Sequence, residues 1–166
     1  MKKATSPDCR LSCSTLSEGQ LKFFHKILAI CESGKEPKVV RDFRYVEVKR
    51  FCERKRQLQI EDIDTKSQLN SKSKILLRDD KGNKALSILW HLRHAFAHNR
   101  IIRNGNTQFL QIRNEHNGVV KMKANVQFGV LKELVEIFLG EHNLTDIEKK
   151  SIEKEKRKKK KLKIKS

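Results

Sequence analysis

Apolar residues return every three or four positions in three stretches of the chain. In the first they fall at Leu21, Phe24, Ile27, Leu28 and Cys31, the spacing of one helix face. Ser17 stands at the N-cap position with Gln20 three residues on, and Gly34 and Pro37 close the segment. The second stretch runs from Lys84 to about Asn99, and "RNGN" ends it. The third runs from about Val126 to Gly140 and turns Phe128, Leu131, Leu134, Val135 and Phe138 inward, with Gly140 as its stop. Between the first two, Val40, Phe43, Val46, Phe51 and Cys52 form a less regular stripe. It predicts a helix over about 39–55, with a strand in its β-branched part as the alternative. Residues 58–82 mix polar loop signals with a short apolar patch, Ile75–Leu77, and predict a connecting loop with a helical turn. "TQFLQIR" and "GVVKMKA" flank "NEHN" and predict a hairpin at about 107–123.

The pattern as a whole predicts an all-α bundle of about four main helices, with one small hairpin between the last two. Residues 1–14 read as a flexible arm, 15–144 as the helical domain, and 145–166 as a basic low-complexity tail. No internal repeat is visible.

Charge narrows the class of partner. The 166 residues carry a formal net charge of +18, and charged residues make up 35%. Residues 145–166 hold eleven Lys/Arg against four Asp/Glu, so +11 lies in residues 1–144. The domain is therefore basic without its tail, which favours an anionic partner, RNA first. Arg100 and the tail residues Arg157, Lys158, Lys159, Lys160 and Lys161 are the candidate RNA contacts. No apolar run has the length of a membrane span, and the lysine-bearing start lacks the apolar segment of a signal peptide. The expected location is cytoplasmic, with Cys9, Cys13, Cys31 and Cys52 as thiols. Cys31 and Cys52 are expected in the core. The Cys9–Cys13 pair lacks two further ligands at a zinc spacing, and the Glu61, Asp62, Asp64 cluster reads as a solvated acidic loop or a helix start in preference to a divalent-metal site. No metal or cofactor is expected.

The chemistry concentrates in "LWHLRHAFAHNRI", Leu89–Ile101. At about 100° per residue, Ala85, Ile88, Leu89, Leu92, Ala95 and Phe96 share one arc of the helix. The opposite face is bounded by Arg93 and His98, about 140° apart, with Trp90, His94 and Ala97 between them. An exposed tryptophan among ionisable residues asks for a partner surface, and a second copy of the helix is the simplest one. A dimer would join the Arg93 of one chain to the His98 of the other. Neutral imidazole can take a proton from a ribose 2′-hydroxyl, protonated imidazole can supply the leaving 5′-oxygen, and arginine can neutralise the phosphorane. His91, His94 and His98 could alternatively form a metal stripe, but no carboxylate or cysteine follows at a matching spacing.

"RHAFAH", Arg93–His98, resembles the R-x4-6-H motif of HEPN domains, with a polar residue after the arginine (His94) and an Asn after the histidine (Asn99). The resemblance implies a small helical bundle that dimerises through the motif helices, with the hairpin as an insert. It implies a metal-independent endoribonuclease, a toxin or phage-defence effector held by an antitoxin or other regulatory protein. In that reading Arg93 and His98 are catalytic, His94 and Asn99 support them, and Trp90 and Ala97 lie at the homodimer interface. The alternative is a non-catalytic module that binds RNA or a protein partner.

Overall fold

The computed structural model describes residues 16–54, 58–64, 68–69, 73–104 and 108–141, together with Glu153 and Arg157. The chain order is α1 (Glu18–Glu32), α2 (Val46–Arg54), β1 (Gln59–Asp62), β2 (Lys74–Leu77), α3 (Lys84–Ala97), β3 (Ile101–Arg103), β4 (Phe109–His116), β5 (Val119–Gln127) and α4 (Phe128–Leu139). The strands form one five-stranded sheet in the order β1-β2-β5-β4-β3. Only β1 and β2 pair in parallel; the other neighbours are antiparallel.

The fold is thus mixed α/β, and the expectation of an all-α, HEPN-like bundle is overturned. The helices predicted by periodicity are present, and Ser17 and Gln20 close their capping box. What the bundle reading missed is the sheet. β2 is the sequence Lys-Ile-Leu-Leu, buried at all four positions. A strand buried on both faces shows a continuous apolar run in place of alternation, so it reads as a patch in a loop. The hairpin is no insert either. Its two strands are the middle of the sheet, with β2 on one side and β3 on the other. α2 also starts later than expected, because Val40 and Arg41 donate their amides to the Phe138 carbonyl at the end of α4.

The β4–β5 turn is Asn117–Gly118, both with positive φ (50° and 74°), the conformation that a two-residue hairpin needs. Above the turn, Leu110 lies opposite Val126, Ile112 opposite Ala124, and Asn114 opposite Met122. This face meets the helices in one core that includes Phe24, Ile27, Val48, Phe51, Leu89, Leu92, Leu134 and Phe138. The register slips once. Asn114 faces Met122 but Glu115 faces Val120, leaving Lys121 as the extra residue of a bulge. Cys31 is buried and Cys52 half-buried, both free thiols, and burial pushes each thiol up to about 11. The N-terminal arm with Cys9 and Cys13 lies outside the described residues, as does the tail apart from Glu153 and Arg157.

Candidate functional site

α3 is anchored at its start and rich in chemistry at its end. The Asn83 side chain caps it by accepting from the amides of Ala85 (3.0 Å) and Leu86 (3.3 Å). Ser87 in the first turn donates to Asp79 at 2.7 Å, fixing the preceding loop. One face is buried as the wheel predicts, through Ala85, Ile88, Leu89, Leu92, Ala95 and Phe96. On another, Trp90, His94 and His98 follow at four-residue spacing and form a ladder of rings. Trp90 and His94 have centroids 6.1 Å apart, and His94 and His98 lie parallel at 6.4 Å.

The ladder is one wall of a cleft of about 330 Å³. The hairpin supplies the facing groups, His116 and Lys121, and the loop before α3 adds Asp80 and Lys81. The bulge brings Lys121 here: its carbonyl accepts from the Arg78 amide (2.8 Å) and its ammonium meets Asp80 at 3.1 Å. Lys81 lies over the Trp90 ring, 4.7 Å from the centroid.

Two more groups fix the base of the cleft. His91, buried on α3, lies 3.0 Å through Nε2 from the Arg78 carbonyl and 2.9 Å through Nδ1 from the Asn114 amide nitrogen. A carbonyl only accepts, so Nε2 carries the proton and Nδ1 accepts from Asn114. Burial is the main cause that holds the His91 pKa below its ordinary value. His94 is also held low, first by burial and then by the Arg93 charge. Arg93 Nη1 lies 3.2 Å from His94 Nδ1, and arginine only donates. Neutral His94 therefore presents a protonated Nε2, a hydrogen-bond donor.

Arg93 itself is not among the groups that line the cleft. Its Nη2 pairs with Glu32 of α1 at 2.8 Å, and its buried Nε has no partner among the described residues. The structure brings His94, His98 and Trp90 together but separates Arg93 from His98, as their angle on the helix requires. Trp90 is half-buried and Ala97 exposed. Asn99 takes a left-handed conformation (φ 53°) just past the helix. Its amide donates to Phe96 (3.1 Å), and the Arg100 amide donates to Ala95 (2.8 Å). That pair of bonds is a Schellman stop, which gives the Asn after the histidine a structural use. Arg100 donates from Nη1 to the Glu115 carbonyl at 2.8 Å, tying the helix end to β4. Arg157 pairs with Glu153 at 2.6 Å, and Lys158, Lys159, Lys160 and Lys161 lie outside the described residues.

The sequence reading missed His116, Lys121, Asn114 and Lys81. One signal was available: His116 directly precedes Asn-Gly, so a two-residue turn there makes it a strand residue at the hairpin tip. Among the described residues, no group of three or more His, Cys, Asp or Glu side chains is placed to hold a metal ion. In the acidic cluster, Glu61 pairs with Lys74 (2.9 Å) and Asp62 with Lys84 (2.8 Å). No described helix is long and apolar enough to cross a membrane. No protein family, curated protein or solved structure matches this chain on comparison.

Proposed function

We propose that this chain binds RNA and cleaves it without a metal, by imidazole acid–base chemistry in the α3–hairpin cleft. One observation carries the proposal. His94, His98 and His116 line one cleft with Lys81 and Lys121, in a chain of net charge +18. His98 and His116 come from opposite walls and form the acid–base pair. One imidazole takes the proton of a ribose 2′-hydroxyl as O2′ bonds to phosphorus. The other gives a proton to O5′ as the P–O5′ bond breaks. The products are a 2′,3′-cyclic phosphate and a 5′-hydroxyl. Neutral His94 donates through Nε2 to a non-bridging oxygen, and the lysines offset the phosphorane charge. Arg93 is a positioning residue that fixes His94 through Nδ1.

The proposal keeps the metal-free chemistry implied by the resemblance at Arg93–His98 and drops the bundle. Its histidines come from one chain, so a second copy supplies no catalytic group. A toxin or defence role, with an antitoxin that covers the cleft, fits such an activity. The test is incubation of the full chain with RNA in EDTA. Cleavage with cyclic phosphate ends is expected, and none at a position carrying a 2′-deoxyribose. Activity that vanishes in EDTA and returns with Mg²⁺ would refute it.

A second reading, RNA binding without cleavage, is favoured by Arg93. Its guanidinium pairs with Glu32 outside the cleft, leaving phosphate neutralisation to two lysines, one already paired with Asp80. Binding that is unaffected by His98→Ala combined with His116→Ala, in a chain that never cleaves, would select it.

A further inference from the structure

Trp90 has three features that a packing role leaves unexplained. It lines the cleft beside His94, one rung from the proposed phosphate position. Its indole N–H is buried with no acceptor among the described residues. Its ring is capped by the exposed Lys81, from the loop that Gly82 turns with φ +67°. A buried donor without an acceptor is costly, and native structures seldom keep one unless something else supplies the partner. An exposed cation over an aromatic ring holds weakly, and a nucleobase stacks on tryptophan more strongly.

We propose that Trp90 and Lys81 form a nucleobase subsite for single-stranded RNA. The base next to the phosphate held by the histidines displaces the Lys81 ammonium and stacks on the indole. The N–H lies in the ring plane, so a second, flanking base meets it edge-on and supplies the missing acceptor through a carbonyl or ring nitrogen. The freed ammonium pairs with a backbone phosphate, so the lysine exchanges one partner for another. The subsite rests on the reading of the cleft as an RNA site, but not on catalysis.

Trp90 is the only tryptophan, so its fluorescence reports on the subsite directly. The full chain is titrated with a 2′-O-methyl heptanucleotide, which lacks the nucleophile and cannot be cleaved. An abasic oligomer of equal length and charge serves as the control. Saturable quenching is expected with the first, and at least about fivefold weaker binding with the second. Trp90→Leu should weaken binding of the base-bearing oligomer about tenfold and leave the abasic one unchanged. Trp90→Phe should lose less, which separates stacking from damage to the fold. Lys81→Met should lower the salt slope of binding by about one. Equal affinity for the two oligomers would overturn the subsite. So would a fluorescence change that follows protein concentration without RNA, the mark of a dimer over Trp90.

Discussion

The histidine cleft and the groove between α1 and α4 have the same volume, about 330 Å³ each, and opposite chemistry. The groove has Phe23, Ile27, Val135 and Leu139 among its walls. Each lysine on its rim is paired: Lys22 with Glu18, Lys26 with Glu141, and Lys132 with Glu136. Such a site is a helix–helix seam with its charges satisfied. The cleft instead stacks imidazoles on one another and leaves an indole N–H with no acceptor among the described residues. Size alone therefore says nothing about use. Unmet bonding capacity separates the two sites.

That contrast can be broken by substitution. The largest effect is expected from His98→Ala combined with His116→Ala, which should reduce RNA cleavage in EDTA roughly a thousandfold. Lys132→Ala in the groove should leave the rate unchanged. Equal losses from both would mean that the cleft is not special.

Next comes the base of the cleft. Asn114→Ala strips His91 Nδ1 of its donor in a buried place and should cost about 1–3 kcal/mol in urea unfolding. The same pair predicts a pH dependence. The His91 pKa is lower folded than unfolded. Between the two values the unfolded chain binds more protons, so stability rises with pH there. Stability should be full above about 6.5, the ordinary value, and fall as the pH drops below it. In His91→Phe that acid-side loss should be smaller.

A smaller effect is expected at Arg93. Arg93→Ala removes a charge-assisted bond to His94 and should slow cleavage roughly tenfold. It also removes the second cause that holds His94 low, so the His94 pKa should rise toward its ordinary value. The pH titration profile of the His94 ring followed by NMR should then move to higher pH, with partial recovery in Arg93→Lys. A tenfold loss with an unmoved profile would assign Arg93 to the α1 contact alone.

The smallest effect is expected at the helix stop. Asn99→Ala removes the short polar side chain that eases left-handed backbone and should cost about 1 kcal/mol, while Asn99→Gly should be near neutral. Neither should change the cleavage rate, although the resemblance made Asn99 a supporting site residue.

Local geometry was readable from the chain, and tertiary placement was not. The stripes of α1, α3 and α4 and the Ser17–Gln20 box depend on residues close in sequence, and they stand where expected. Trp90, His94 and His98 were expected on one face, and their four-residue spacing there makes the ladder. The divergence of Arg93 and His98 was also visible, but Glu32 as the partner of Arg93 was not. His116 and Lys121 reach the cleft through the hairpin register and a one-residue bulge, which no periodicity encodes. β1 and β2 were lost because a four-residue strand has no room to show a period, and the pairing that defines it is distant.

The register of β2 against β5 sets an order in time. The cleft-lining residues all lie in one continuous run of chain, Asp80 to Lys121. Its hairpin wall closes over two turn residues and can form within about 1–10 μs. β2 must bring Lys74–Leu77 to Met122–Asn125 across that whole run, and β1 can join only after β2. On this side of the sheet β1 is thus the last strand to dock and the first to peel away. The amides of Gln59–Asp62 should exchange with solvent well before those of β4 and β5. The cleft can assemble while this edge of the sheet is still open.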